Sequence, residues 1–190
     1  MRLWLVRHAQ PLVAPGVCYG ATDMPADVDA TSQAAQALVS NLPMYLPICC
    51  SPLQRCEQMA RAISALRPDL ISKTEPRIAE MNFGQWEGQL WSAIPKAEID
   101  VWTADFADLR VGLNGESVRS FMQRVDGALS QWRTSGQDAL WVTHAGVVRA
   151  ARLLLAGVAC PVRADQWPQQ GPGFGELEVL TLGTLSGALN

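Results

Sequence analysis

A chain of 190 residues is the size of one ordinary domain and long enough to bury a full hydrophobic core. Its 48% hydrophobic and 17% charged residues exclude an intrinsically disordered chain. The formal net charge of -3 speaks against general affinity for nucleic acid or an anionic membrane surface.

Short apolar runs alternate with amphipathic stretches, the pattern of an α/β domain with a largely parallel sheet. Residues 3–6 read as the first strand, and a helix is expected over 32–41. Residues 48–50 form a second strand. Ser51 as cap and Pro52 at the first helical position then predict a helix over 52–66. A third strand is expected at 70–74. Residues 80–115 have no clean period and hold Trp86, Trp91 and Trp102. They read as an excursion from the sheet with short helices, of the kind that carries substrate loops. After the breaker Gly115, Ser117 caps a helix over 117–134. Residues 139–143 are a buried strand, followed by a helix over 145–156. A Pro/Gly-rich connection at 167–175 leads into a last strand at 177–182. No repeat or low-complexity linker divides the chain, so residues 1–190 are expected to form one domain.

Five cysteines, Cys18, Cys49, Cys50, Cys56 and Cys160, lack disulfide-framework spacing and contain no C-x-x-C pair, so they are expected to be reduced and no zinc site is expected. The first apolar run is too short for a signal peptide or a membrane span, which makes the cytoplasm the expected compartment.

The chain has two histidines, and each follows a predicted strand: His8 in Leu-Val-Arg-His-Ala and His144 in Val-Thr-His-Ala-Gly. In an open α/β sheet the loops leaving the carboxyl ends of the strands form the ligand crevice. The loop after residues 48–50 adds Arg55, so Arg7, His8, Arg55 and His144 can meet at one spot. Two guanidiniums suit the equatorial oxygens of a phosphate, and a neutral imidazole can attack phosphorus. Amides at the start of the helix after His144 add donors, and Gly146 allows close approach of the backbone. Among Glu75, Glu80 and Glu87, residue chemistry alone does not select a proton donor.

Five motifs stand in the order found in the histidine phosphatase (phosphoglycerate-mutase-like) superfamily. They are Arg7-His8-Ala9, Ser51-Pro52-Leu53-Gln54-Arg55, the run from Glu80 to Gly88, Gly115-Glu116-Ser117 and Thr143-His144-Ala145-Gly146. The chain resembles that superfamily from residue 2 to about residue 150. The resemblance implies a three-layer α/β sandwich with a mostly parallel central sheet flanked by helices. It implies His8 as nucleophile, Arg7, Arg55 and His144 as phosphate holders, and Glu80 as general acid and then base. An acid of that kind needs partial desolvation and a raised pKa. It also implies no metal and no organic cofactor. Tyr19, Gly20 and Gln10 become candidates for contact with a small phosphorylated metabolite.

Within the superfamily, Cys18-Tyr-Gly-Ala-Thr-Asp23 together with residues 51–56 and 142–149 is most similar to the α-ribazole phosphatases. This implies removal of the 5′-phosphate of α-ribazole phosphate in cobalamin biosynthesis. Met59, where many relatives carry threonine, and the missing glycine in the helix at 32–41 depart from the pattern. A broad sugar-phosphate phosphatase or a phosphoglycerate mutase of the same superfamily are the alternatives. Two readings of other kinds also exist: a thiolate phosphatase on the C-x5-R spacing of Cys49 and Arg55, and a phosphate-binding module without catalysis. For the three tryptophans, hydrophobic core of the excursion competes with an aromatic wall for a flat base.

Overall fold

The computed structural model describes residues 1–182; the last eight positions of the expected domain lie outside them. Five strands make one sheet: β1 (Arg2–Arg7), β2 (Ile48–Cys50), β3 (Ser72–Thr74), β4 (Ala139–Thr143) and β5 (Leu177–Thr181). They lie in the order β3-β2-β4-β1-β5. β1, β2, β3 and β4 pair in parallel, and β5 runs antiparallel along the free edge of β1. The expected sheet is therefore present, with the third strand starting at Ser72 rather than at residue 70.

Alternation along the central strands explains the layers. Leu3, Leu5 and Trp141 point to one face, and Trp4, Val6, Leu140 and Val142 to the other. Both faces are apolar because both are covered, as a parallel sheet requires. α1 (Val28–Val39) and α2 (Gln54–Leu66) bury Ala35, Leu38, Met59 and Ile63 against the second face. α4 (Val118–Ser135) and α5 (Ala145–Leu155) bury Phe121, Val125, Leu129, Val148 and Ala151 against the first.

Two helix starts differ from expectation. α1 begins at Val28, because Asp27 accepts from the Ala30 amide at 2.8 Å and supplies an N-cap upstream of the predicted start. α2 begins at Gln54 with Leu53 as its N-cap and no side-chain cap. Ser51 does not cap it closely; its hydroxyl is spent elsewhere, as described below. Ser117 does cap α4, accepting from the Ser120 amide, and Gly136 ends that helix in the left-handed conformation.

The stretch after β3 leaves the sheet as expected, through 3-10 turns at Pro76–Ile78, Gly84–Trp86 and Trp91–Ala93 and the short helix α3 (Lys96–Ala104). Trp86, Ile94, Phe106 and Val111 are buried in the same core that α4 and α5 make with the sheet.

Candidate active site

β1, β2 and β4 end side by side. Arg7 is in register with Thr143, and Cys50 with Val142. One step further, the His8 amide donates to the Thr143 carbonyl and the Ser51 amide to the Val142 carbonyl, each at 3.0 Å. His8, Ser51 and His144 thus form a row across three neighbouring strand ends, and the two imidazoles meet edge to face with centroids 5.2 Å apart.

The partners of His8 fix its tautomer. Nδ1 lies 2.7 Å from the Ala9 carbonyl, which can only accept, so Nδ1 carries the proton and Nε2 the lone pair. Arg55 Nε donates to that lone pair at 3.2 Å. Burial pushes the His8 pKa down to about 3; the Arg55 and Arg7 charges push the same way, and the Ala9 hydrogen bond opposes them. His8 is therefore a neutral imidazole, 2% exposed, with a directed lone pair.

Arg55 opens α2 and is completely buried. Its other contacts are the Thr22 carbonyl (2.8 Å from Nη1) and the Gly20 carbonyl (2.7 Å from Nη2). An imidazole and two carbonyls carry no countercharge, so this buried guanidinium leaves two N–H donors and a full positive charge for an anion. Tyr19 stacks on it at 5.5 Å. Gly20 is required for its carbonyl to reach Arg55, since a Cβ there would stand 1.8 Å from the Met81 carbonyl oxygen. Arg7 donates through Nη1 to the Pro172 carbonyl at 3.0 Å and stacks on Phe174 at 3.7 Å, while its Nε is buried without a partner.

His144 is fully buried, with Nε2 2.8 Å from the Ser51 hydroxyl and 3.4 Å from the Cys56 sulfur. Burial, followed by the charge of Arg55, holds its pKa well below the usual histidine range. Ser51, read in the sequence as a helix cap, is thus the partner of the second histidine.

The three glutamates separate cleanly. Glu75 pairs with Arg77 at 2.6 Å beside the first 3-10 turn. Glu87 ties two loops together, accepting from the amides of Ala21, Thr22 and Phe83 and from the Thr22 hydroxyl. Glu80 alone reaches the strand ends: its carboxylate is half-buried and accepts from the Met81 amide at 3.0 Å and the Gly146 amide, at the start of α5, at 3.1 Å. Alanine at position 146 would put a Cβ 2.1 Å from Glu80 Oε1. The backbone beneath Glu80 is pinned by Arg124 of α4, which donates to the carbonyls of Arg77, Ala79 and Glu80 at 2.6–2.9 Å and pairs with Glu116.

A cavity of about 400 Å³ opens beside Glu80. Arg7, Tyr19, Gly146 and Arg149 supply its polar rim, and Phe83, Trp102, Phe106, Phe121 and Trp167 its aromatic wall. The tryptophans therefore divide. Trp86 is core, 3% exposed, with its Nε1 donating to Glu98 at 2.7 Å. Trp102 lines the cavity, and Trp91 lies outside it, edge-on to Phe83. A larger open cleft of about 630 Å³ shares Trp102 with it but contains none of Arg7, Glu80 and Gly146; the two buried histidines line neither.

The side chain of Gln10 is exposed and does not line the cavity; the residue contributes its carbonyl to the Asp27 amide. Cys49 lines a separate pocket with Trp132 and Lys73, and burial together with Glu75 raises its thiol pKa. Arg55 turns to His8, so Cys49 and Arg55 do not form a thiolate site. Among the described residues no group of three or more His, Cys, Asp or Glu is gathered around a point, and no helix is long and apolar enough to cross a membrane.

Reasoning from the sequence missed Arg124, Arg149, Ser51 as a histidine partner, and Phe174 as the surface under Arg7. The position of Arg149 carried a faint signal, one helical turn after Gly146 on the same side of α5.

The family model for the histidine phosphatase superfamily (branch 1) matches residues 3–168. An adenosylcobalamin/alpha-ribazole phosphatase of Salmonella typhimurium is 29% identical, over 95% of this chain and 96% of the relative. In the solved structure of alpha-ribazole phosphatase from Shigella flexneri, 24% identical, 97% of this chain superposes on 92% of that one with a TM-score of 0.80. A phosphoglycerate mutase from Thermus thermophilus, 26% identical, superposes over 95% of this chain and 92% of its own with a TM-score of 0.70. With the five motifs on adjoining strand ends and loops and the family model covering most of its length, this chain belongs to the histidine phosphatase superfamily, branch 1.

Proposed function

We propose that the protein hydrolyses the 5′-phosphate ester of α-ribazole phosphate through a phosphohistidine on His8. One observation carries the chemistry: a neutral imidazole with its lone pair fixed on Nε2 shares a buried pocket with two guanidiniums that have no carboxylate partner. Such a pocket holds a phosphate dianion and aims a nucleophile at its phosphorus. The aromatic wall beyond it supports the choice of substrate, since a flat base on a sugar 5′-phosphate fits against Phe83, Trp102 and Phe106. The similarity to alpha-ribazole phosphatases supports the same choice.

In the first step His8 Nε2 attacks phosphorus, the bond to the ester oxygen breaks, and protonated Glu80 gives its proton to the leaving alkoxide. In the second step Glu80 takes a proton from water as that water attacks the phosphohistidine. The P–N bond breaks, phosphate leaves, and both side chains return to their starting forms. Arg7, Arg55 and His144 hold the equatorial oxygens while the Gly146 amide and the N-terminus of α5 add positive potential.

Phosphate release in EDTA from α-ribazole 5′-phosphate, ribose 5-phosphate, phosphoserine and 3-phosphoglycerate tests this reading. α-Ribazole 5′-phosphate is expected to give the highest kcat/KM, with the advantage reduced in Trp102→Leu and retained in Trp91→Leu. Turnover that ranks another ester first refutes the substrate, and turnover abolished by EDTA refutes the mechanism.

A further inference from the structure

Among the described residues, four buried side-chain nitrogens have no hydrogen-bond partner: Arg7 Nε, Trp102 Nε1, Trp132 Nε1 and Arg149 Nε. Three of the four belong to residues that line the cavity beside Glu80. Buried polar atoms are nearly always paired, so these three residues are poorly satisfied where they meet the cavity, although the nitrogens themselves are closed off and any ligand must be met by other atoms of the same side chains. Arg7 adjoins His8 and belongs to the phosphate pocket. Trp102 belongs to the aromatic wall, whereas Arg149 lies outside both sets and has no role in the reaction described above.

Arg149 is held in place without being neutralised. Its Nη2 donates to the Gln169 carbonyl at 3.1 Å, and Gly171 backs its guanidinium, where a Cβ would stand 3.1 Å from Nε. The neighbouring Arg152 donates to the Gln170 carbonyl at 2.8 Å, so this loop is fastened to α5 by two arginines. Burial lowers the Arg149 pKa and the charge of Glu80 opposes that shift, yet no hydrogen bond joins the two side chains among the described residues. Its Nη1 makes no hydrogen bond among the described residues, which leaves the free end of a planar cation at the cavity rim, one turn along α5 from the Gly146 amide.

We propose that the free Nη1 end of Arg149 forms a second subsite that reads acceptor oxygens on the leaving group, making Arg149 a specificity-determining residue for sugar phosphates over plain phosphate esters. The inference rests on the reading of this pocket as a phosphomonoesterase site. It adds to that reading a donor set for hydroxyl oxygens, separate from the phosphate pocket and from the apolar wall.

The test is the ratio of kcat/KM for ribose 5-phosphate to that for phenyl phosphate, which has no hydroxyls to read. A ratio taken on one enzyme sample is independent of the fraction that is folded. Arg149→Met is expected to lower the ratio about tenfold, the effect of losing one or two hydrogen bonds to a charged donor. Arg149→Lys keeps the charge without the fork and should fall between it and the wild type. Ratios equal to wild type in Arg149→Met, or in Arg149→Lys if the methionine variant is not recovered, overturn the subsite. If α-ribazole 5′-phosphate is turned over but the ratio is unmoved, this inference fails alone. If that substrate is refused while the ratio falls on ribose 5-phosphate, the subsite stands and the proposed substrate fails. Absence of any phosphatase turnover in the wild type overturns both.

Discussion

At the floor of the pocket, polar side chains are fixed by neighbours that carry no countercharge. His8 is held by a carbonyl, Arg55 by two carbonyls and the imidazole, and His144 by a hydroxyl. On the side of residues 80–115 the balance is reversed. A row of rings runs from Trp86 through Trp102 and Phe106 to Trp167, with neighbouring centroids 5.1–6.4 Å apart, and the buried Trp102 Nε1 has no partner among the described residues. The floor spends folding energy to keep positive charge desolvated, which strengthens its hold on a phosphate dianion. The wall contributes ordinary apolar burial and can change without touching the reacting atoms. Substitutions at the floor should therefore abolish the reaction, and substitutions at the wall should redirect it.

The widest gap is expected between His8→Ala and Cys49→Ser. The first removes the proposed nucleophile and should cost at least about 10³ in kcat. The second alters a half-buried thiol in a separate pocket and should stay within about twofold of wild type. Rapid-quench labelling with a radioactive phosphate ester should give an acid-labile protein label in wild type and none in His8→Ala. Retained turnover in His8→Ala would dissolve the distinction between floor and wall.

Gly146→Ala probes the seam where the two regions meet. Its Cβ would stand 2.1 Å from Glu80 Oε1, so the carboxylate must leave the start of α5. Loss of a positioned general acid predicts a fall of about 10² in kcat with a smaller change in KM. Gly127→Ala is the matched control, because at that helical position the nearest atom to a new Cβ is Arg77 Nη1, at 3.6 Å. Steady-state kinetics on both variants settle it: equal activities would mean that Glu80 does not act from where it stands.

The difference between the regions also decides what the sequence could reveal. Strands at residues 3–6 and 139–143 were legible because a parallel sheet covered on both faces needs unbroken apolar runs. Once their ends were located, His8 and His144 followed, since a side chain just past a strand end has few places to go. Glu80 was not legible from residue chemistry. Glu75 is taken up by Arg77 two residues on, a pairing that by itself does not exclude it as an acid, and Glu87 by the amides of a loop 66 residues back in the chain, which leaves no local signature. Arg124 escaped for the same reason: its partners are carbonyls some forty-five residues away in the chain. Ser51 misled because a serine before a proline and a helix reads as a cap, whereas the tertiary partner His144 claims the hydroxyl.

The desolvated charge at the floor has a consequence in the free protein that the wall does not share. His8 titrates at about 3 when folded, and burial also holds His144 well below 6.5, so both stay neutral where an unfolded chain would take up protons. Because each folded pKa is depressed, the contribution is fully present above about pH 6.5 and declines as the pH falls toward about 3. His8 should remove about 2 kcal/mol of unfolding free energy between pH 7 and pH 5, a window above the ordinary carboxylate range, and His144 shifts stability in the same direction. Urea denaturation across that window should therefore show a larger loss in wild type than in His144→Asn. Inorganic phosphate should flatten the wild-type curve, because its negative charge offsets the guanidiniums that help to keep the imidazoles neutral. Parallel curves for wild type and His144→Asn would show that His144 is not held neutral by the floor, and the contrast between the two regions would then rest on His8 alone.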